Sequence, residues 1–244
     1  MSLSAPLLRR IHKWIGLILG LQFVIWAVSG ATMALLDMEA VAGGKARPVA
    51  VAPPLPANVS AWPQVQRSLA EQPVQALAVR PLLDAQVIEV TTPKGVRLFN
   101  AGNGLPIVIN GALAMKVAQA SYPGAGKVER VGRLAELELA VREHKLPIWR
   151  VDFADGANSS FYVSGETGKL LERRNDTWRI WDFAWMLHNM DYVNRTSFNH
   201  PLIVTLALGI IWLAISGFWL LFRTKWRPDL RRLGRLRRDR MADQ

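Results

Sequence analysis

WIGLILGLQFVIWAVSGATMALL, residues 14–36, runs for 23 residues without a charged side chain. As a helix it reaches about 34 Å, enough to cross a hydrocarbon layer of about 30 Å. PLIVTLALGIIWLAISGFWLLF, residues 201–222, repeats the feature over 22 residues and about 33 Å. Pro201 stands where a first helical turn tolerates a missing N–H. Trp14 marks one end of the first run and Trp219 with Trp226 one end of the second; indole rings favour the headgroup level. The first run outlasts the apolar stretch of about 7–15 residues in a cleaved signal peptide, so it reads as a retained anchor. Two antiparallel transmembrane helices therefore enclose the rest of the chain. Gly16 and Gly20 have the spacing of a small-residue helix contact, level with Ser216 and Gly217 on the second run.

The net charge of +11 invites a nucleic-acid reading, but its distribution argues against one. Residues 1–13 carry Arg9, Arg10 and Lys13 and no acid, and residues 223–244 carry nine bases and three acids. These ends hold +3 and +6, leaving +2 for the other 209 residues. Basic ends abutting apolar runs are the flanks that stay in the cytoplasm, so both termini are placed there and residues 37–200 on the far side. The tail also suits anionic lipid. The expected partner is membrane lipid, with no nucleic acid. The absence of Cys excludes disulfides, iron–sulfur clusters, thiolate zinc and covalently attached haem. The glycines of GGK (43–45) and GAGK (124–127) lack the spacing of a phosphate loop, and no G-x-S-x-G or H-E-x-x-H is present. Ser159 and Ser160 have no His in local reach, which argues against hydrolysis.

Between the spans, residues 37–60 are rich in Pro and small residues and read as a linker. Two similar modules follow, at 61–110 and 111–174. In the first, Ala61–Glu71 has Val65 and Leu69 at helical spacing. Residues 87–92 and 96–99 then flank the turn Pro93-Lys94-Gly95 as a hairpin, and Asn103-Gly104 makes a second turn. In the second, Gly111–Tyr122 is a helix presenting Leu113, Val117 and Ala120. Val128–Val141 alternates like a strand. Residues 148–153 and 160–163 flank a turn at 155–158, closed by Thr167-Gly168-Lys169-Leu170. The fold class is α+β: two transmembrane helices around two helix-plus-antiparallel-sheet modules, each near the lower size limit for independent folding and therefore expected to share a core.

Three segments carry a family resemblance. LPIWRVDFADGANSSFYVSGETGKLLER (146–173) resembles the strand–turn–strand half of a PepSY domain, with its D-G turn, Tyr-Val strand and T-G-K closing turn. RRIHKWIGLILGLQFVIWAVSGATMALL (9–36) is similar to the first helix of PepSY-associated membrane proteins, which opens on a basic-His-basic-Trp-x-Gly pattern and has a late Ser/Thr-Gly. WDFAWMLHNMDYVNRTSFNHPL (181–202) resembles the segment before that family's next helix. The resemblance implies a bacterial inner-membrane protein with periplasmic PepSY modules. Larger relatives carry four or more spans, and some are linked to siderophore or flavin reduction through b-type haem. Two functions follow as expectations. One is electron transfer to a periplasmic acceptor, in iron uptake for example, with b haem bound to this chain or to a partner. The other is a non-enzymatic PepSY interaction or regulatory subunit anchored by two helices.

The four His are His12, His144, His188 and His200. His12 stands at the inner end of the first span, His188 and His200 at the outer end of the second. Imidazole is a common axial haem ligand. His188 and His200 can serve one outer haem; His12 has no same-side His and needs a homodimer or a membrane-protein partner. The family pattern includes His12 and His188. Trp178, Trp181, Trp185 and His188, spaced three, four and three apart, form one helical stripe within 175–200. Trp181 and Trp185 then serve as a wall for a flat cofactor. The alternative is an amphipathic helix at the interface, with His12 and His200 as plain boundary residues. Met186 and Met190 are axial candidates or core fillers. His144 reads as a solvated loop residue. Asp182 and Asp191 flank His188, either to orient its ring or solvated.

Overall fold

The computed structural model describes residues 5–45, 61–70, 72–193, 195 and 197–226. The chain divides into two units, one of residues 1–35 and 182–244 and the other of Leu36–Trp181.

The middle unit repeats one order twice. Helix α3 (Trp62–Leu69) precedes a four-stranded meander of β1 (Ala76–Leu82), β2 (Ala85–Thr92), β3 (Gly95–Asn100) and β4 (Pro106–Ile107). Helix α4 (Gly111–Ser121) precedes a second meander of β5 (Lys127–Arg133), β6 (Ile148–Ala154), β7 (Ser160–Ser164) and β8 (Leu170–Arg174). All strand pairs are antiparallel. The expected hairpin forms, with Thr92 opposite Gly95 and Pro93-Lys94 between them. The Asp155 Oδ1 accepts from the Ala157 and Ser159 amides to close the second.

Four of the sequence expectations are corrected. Strand β1 was not anticipated: Pro81 reads as a breaker, and the turn residue with positive φ is Leu83, at 55°, where a Gly or Asn is looked for. Proline is tolerated there because β1 is an edge strand. The stretch 128–141 is not one strand. It leaves the sheet after Arg133 and ends in a 3₁₀ turn at Leu139–Val141 that buries Ala140 and Val141. The Leu/Glu alternation of 134–139 imitates a strand period without a neighbour to pair with. On α4 the buried stripe is Ala114, Val117 and Ala118, and Ala120 is exposed. In the segment taken as linker, a short helix α2 (Met38–Val41) is capped by Asp37, while residues 46–60 lie outside the described ones.

The two modules share a core, as their size requires. Leu82, Val87, Leu98 and Ile109 from the first side pack with Ala114, Val117 and Ala118 of α4 and with Val151, Phe153, Phe161 and Val163 of the second sheet. Tyr122 stacks on Phe153 at 3.9 Å between centroids. The other face of the first sheet is covered by α3, whose Val65 and Leu69 meet Ile88, Val90 and Phe99. The other face of the second sheet gathers Val41, Val141, Ile148, Tyr162 and Trp178.

That last face also carries a charge network. The Asp152 carboxylate accepts from Arg150 (2.7 Å), Arg130 (2.9 Å) and the Ser160 hydroxyl (2.7 Å). The Tyr162 hydroxyl donates to Glu138, which also takes Arg150. Several of these residues line a cavity of about 480 Å³ with Glu129, Asn158 and Ser159. Burial pushes the Asp152 carboxyl up, but Arg150, Ser160 and Arg130 outweigh it and hold it below the usual carboxylate range. Glu89, paired with Arg80 and Lys169, and Asp155 are shifted the same way, against burial. A carboxylate with a depressed folded pKa adds stability that is present above its unfolded pKa and lost as pH falls through the folded value. The melting temperature of the middle unit is therefore expected to stay level from about pH 7 to 5 and to drop steadily below about pH 4. Circular dichroism melts across this range check it. Asp152→Asn should flatten the drop.

In the helical unit, α1 (Ala5–Leu35) and α6 (Pro201–Leu221) are both long and apolar enough to cross a membrane. They run antiparallel. A Cβ at Gly16 would meet Leu213, one at Gly209 would meet Leu19, and one at Gly217 would meet His12. Helix α1 begins at Ala5, about two and a half turns before Trp14, so Arg9, Arg10 and His12 are helical. Gly20 has open space around it. The closest approaches at small residues are made elsewhere, by the two histidines described next.

Candidate functional site

Helix α5 (Asp176–Asn189) carries His188 in its last turn. The His188 ring lies against α1, where its Cε1 would be 3.2 Å from a Cβ at Gly30 and its Nδ1 is 3.1 Å from the Ser29 Oγ. Trp26 flanks it at 6.4 Å between centroids, tilted by 44°. At the other end of the unit His12 lies against α6 in the same way. Its Cε1 would be 3.2 Å from a Cβ at Gly217, its Nδ1 is 2.8 Å from the Ser216 Oγ, and Trp212 flanks it at 6.4 Å, tilted by 39°. Each imidazole thus rests on a Ser-Gly step of another helix, with a Trp one turn before the step: W-x-x-S-G at 26–30 and W-x-x-x-S-G at 212–217. A Cβ at either glycine would press on the ring and require it to move by a few tenths of an ångström. His12 and Ser29 are separated by 17 residues of α1, about 25 Å along the helix. The two imidazoles therefore lie near opposite faces of a bilayer.

The sequence profile described as the PepSY-associated TM region matches residues 9–243. The chain belongs to the PepSY-associated transmembrane family. No curated protein and no solved structure matches it. In this PepSY-associated protein the family's opening His and late Ser-Gly, on the same α1 helix, serve opposite ends of the unit. His12 meets α6, and Ser29-Gly30 receives His188.

The other sequence candidates fall as follows. Extending the α1–α6 register puts His200 level with Ser29 and so with His188. His200 precedes α6, and its Nε2–H donates to the Asn189 carbonyl at 2.8 Å. The Trp residues of α5 have different neighbours. Trp178 is buried under Arg174, whose guanidinium stands 4.4 Å over the ring, and Trp181 packs partly buried beside it in the middle unit. Trp185 meets Phe198 edge-on at 5.6 Å. Met186 and Met190 are buried. Asp182 and Asp191 are not solvated: Asp182, 2% exposed, accepts from Arg195, and Asp191 accepts from the Ser197 amide. His144 is half-buried, with Nε2 2.8 Å from Glu172, rather than a free loop residue.

Sequence reasoning missed the serines. The pairing of His with Ser joins positions 159 and 204 residues apart; the only signal was the recurrence of Trp before Ser-Gly in both spans. Three buried side-chain nitrogens in this unit have no hydrogen-bond partner: Gln22 Nε2, Trp26 Nε1 and Asn189 Nδ2. Buried donors left unpaired are costly in hydrocarbon. Trp26 flanks His188 and Asn189 follows it, while Gln22 lies one turn further along α1 from Trp26. Among the described residues no group of three or more His, Cys, Asp or Glu gathers.

Proposed function

We propose that this protein resides in a bacterial inner membrane, with both termini in the cytoplasm and the two-sheet unit in the periplasm, and that it conducts electrons across the bilayer to a periplasmic acceptor. The observation that supports this most is the pair of imidazoles held alike at the two ends of the helical unit. The residues fit a b-type haem. Each imidazole is packed closely on a glycine, and the unpaired Trp26 Nε1 and Asn189 Nδ2 donors near His188 offer bonds to the acceptor oxygens that such a group carries. Bound there, haem would supply one-electron chemistry. His188 is the outer ligand, with His200 as its partner at the same level. His12 is the inner ligand. The chain has no other His near that level, so the second inner ligand comes from another copy or a partner subunit. Trp26, Trp212 and the apolar faces of α1 and α6 exclude water from both rings.

The full chain, expressed with ample haem and purified in detergent, is expected to show a Soret band and a reduced α-band. A colourless protein would reject the electron-transfer reading. The PepSY modules would then be read as an interaction subunit, a role favoured by the charged cavity beside Asp152. The placement of the termini is tested separately. Alkaline phosphatase fused after Gln244 should be silent and should become active when fused within the two-sheet unit; the reverse pattern would invert the topology.

A further inference from the structure

The hydroxyls beside the two histidines reveal more than a contact. A serine has one proton to give. Ser29 lies 2.7 Å from the Ile25 carbonyl, and Ser216 lies 3.1 Å from the Leu213 carbonyl. A carbonyl can only accept, so a hydroxyl turned to its own helix gives its proton there; for Ser29 the carbonyl is the shorter contact, whereas Ser216 lies nearer to the His12 Nδ1, at 2.8 Å, than to its carbonyl. What remains toward the imidazole is an oxygen lone pair. With the hydroxyls so turned, the nitrogen facing each of them, Nδ1 of His188 and Nδ1 of His12, carries the hydrogen. A neutral imidazole has only one N–H. Its Nε2 is then a bare lone pair.

We infer that Ser29 and Ser216 are positioning residues that lock His188 and His12 in the Nδ1–H tautomer, so that the chain presents two bare Nε2 ligands at two membrane depths before any cofactor arrives. Gly30 and Gly217 belong to the same device. They let each ring approach its serine, and the absent Cβ at Gly217 would stand 3.8 Å from the His12 Nε2. His200 is the counter-example within the same unit. Its Nε2 faces a carbonyl, the Asn189 oxygen, so Nε2 carries the hydrogen and its bare nitrogen is Nδ1. An unconstrained imidazole in water is free to exchange tautomers, so the serines select a form rather than merely pack against one. The ligand class that suits the device is a metal centre taking one neutral imidazole on each open side. The use of the device in electron transfer rests on the haem reading; the tautomers do not.

The test uses the full chain, free of haem, in detergent micelles and labelled with ¹⁵N-histidine. Spectra are recorded at alkaline pH, where the four histidines give four separable pairs of ring nitrogens. His12 and His188 are expected as Nδ1–H with a bare Nε2, and His200 as Nε2–H. Ser29→Ala should release His188 to the mixture of tautomers seen in a free imidazole and leave His12 unchanged. Ser29→Thr, which keeps a hydroxyl able to bond the preceding turn, should restore the wild-type pattern. Ser216→Ala should do the reverse, acting on His12 alone. Finding Nε2–H at His188 and His12 in the wild type would overturn the inference, as would an unchanged His188 in folded Ser29→Ala. If the tautomers are as expected and the protein still takes up no haem, the lock stands and the haem reading falls.

Discussion

Replacing Gly168 by valine is expected to cost the middle unit about 3 kcal/mol. Gly168 has φ +66, a conformation in which a side chain is strained, and left-handed backbone costs an L-residue about 1–2 kcal/mol. A Cβ there would stand 2.9 Å from the Ile109 Cδ1 and 3.2 Å from the Leu82 Cδ1. Both neighbours belong to the first module, so overpacking at this point pushes the modules apart, at about another 1–3 kcal/mol. The turn around it is the clasp between them: Arg80 donates to the Thr167 carbonyl, and Lys169 pairs with Glu89 at 3.1 Å. For a unit of this size the loss corresponds to a melting temperature lower by about 6–12 °C. Gly168→Ala should lose roughly half as much, since its Cβ meets the ends of flexible side chains and lacks the β-branch. Melts of the full chain followed by near-ultraviolet circular dichroism decide the matter. A valine variant that melts with the wild type would mean that the turn is not left-handed and the clasp is not tight.

This position was legible from T-G-K alone, because a glycine before the last strand of a meander announces a positive φ. The spans were legible for a similar reason: absence of charge over 22 or 23 residues leaves few alternatives. Helix α3 and the hairpin at 93–95 followed from local spacing and from a proline-glycine turn. What local pattern did not reveal was decided by partners distant in sequence. Strand β1 exists because β2 pairs with it across a turn made by Leu83, a residue that carries no turn signal. Residues 134–141 kept a strand-like alternation, yet Ala140 and Val141 gain more by filling the space beside Ile148 and Tyr162 than by extending β5. At the site, the histidines were visible as residues at the membrane boundary. Their orientation was not, because it depends on serines in another helix. A helical period shows that Trp178, Trp181 and Trp185 share a face, but not that the face meets a single surface.

If the proposed haem sites are filled, removing the His188 imidazole is expected to eliminate the outer haem and spare the inner one. An axial ligand forms a direct bond to iron, whereas a hydrogen-bonding neighbour only orients the ligand, so the histidine variants should exceed the serine variants in effect. In His188→Ala the reduced α-band should lose about half its intensity, and in His12→Ala the other half. The two losses should add in the double variant, because the sites are about 25 Å apart along α1 and share no side chain. His200→Ala separates the two sources of the second outer ligand. If His200 supplies it, the variant should lose the same half as His188→Ala. If a second copy of the chain supplies it, the band should remain, and only the bond to the Asn189 carbonyl should be lost. His144→Ala should leave the spectrum unchanged, since that ring is taken by Glu172 in the other unit. Folding is controlled by requiring an unaltered melt of the two-sheet unit, which none of His12, His188 and His200 belongs to. A His188→Ala protein that retains the full wild-type α-band would remove His188 from the site, whatever the tautomer of its ring.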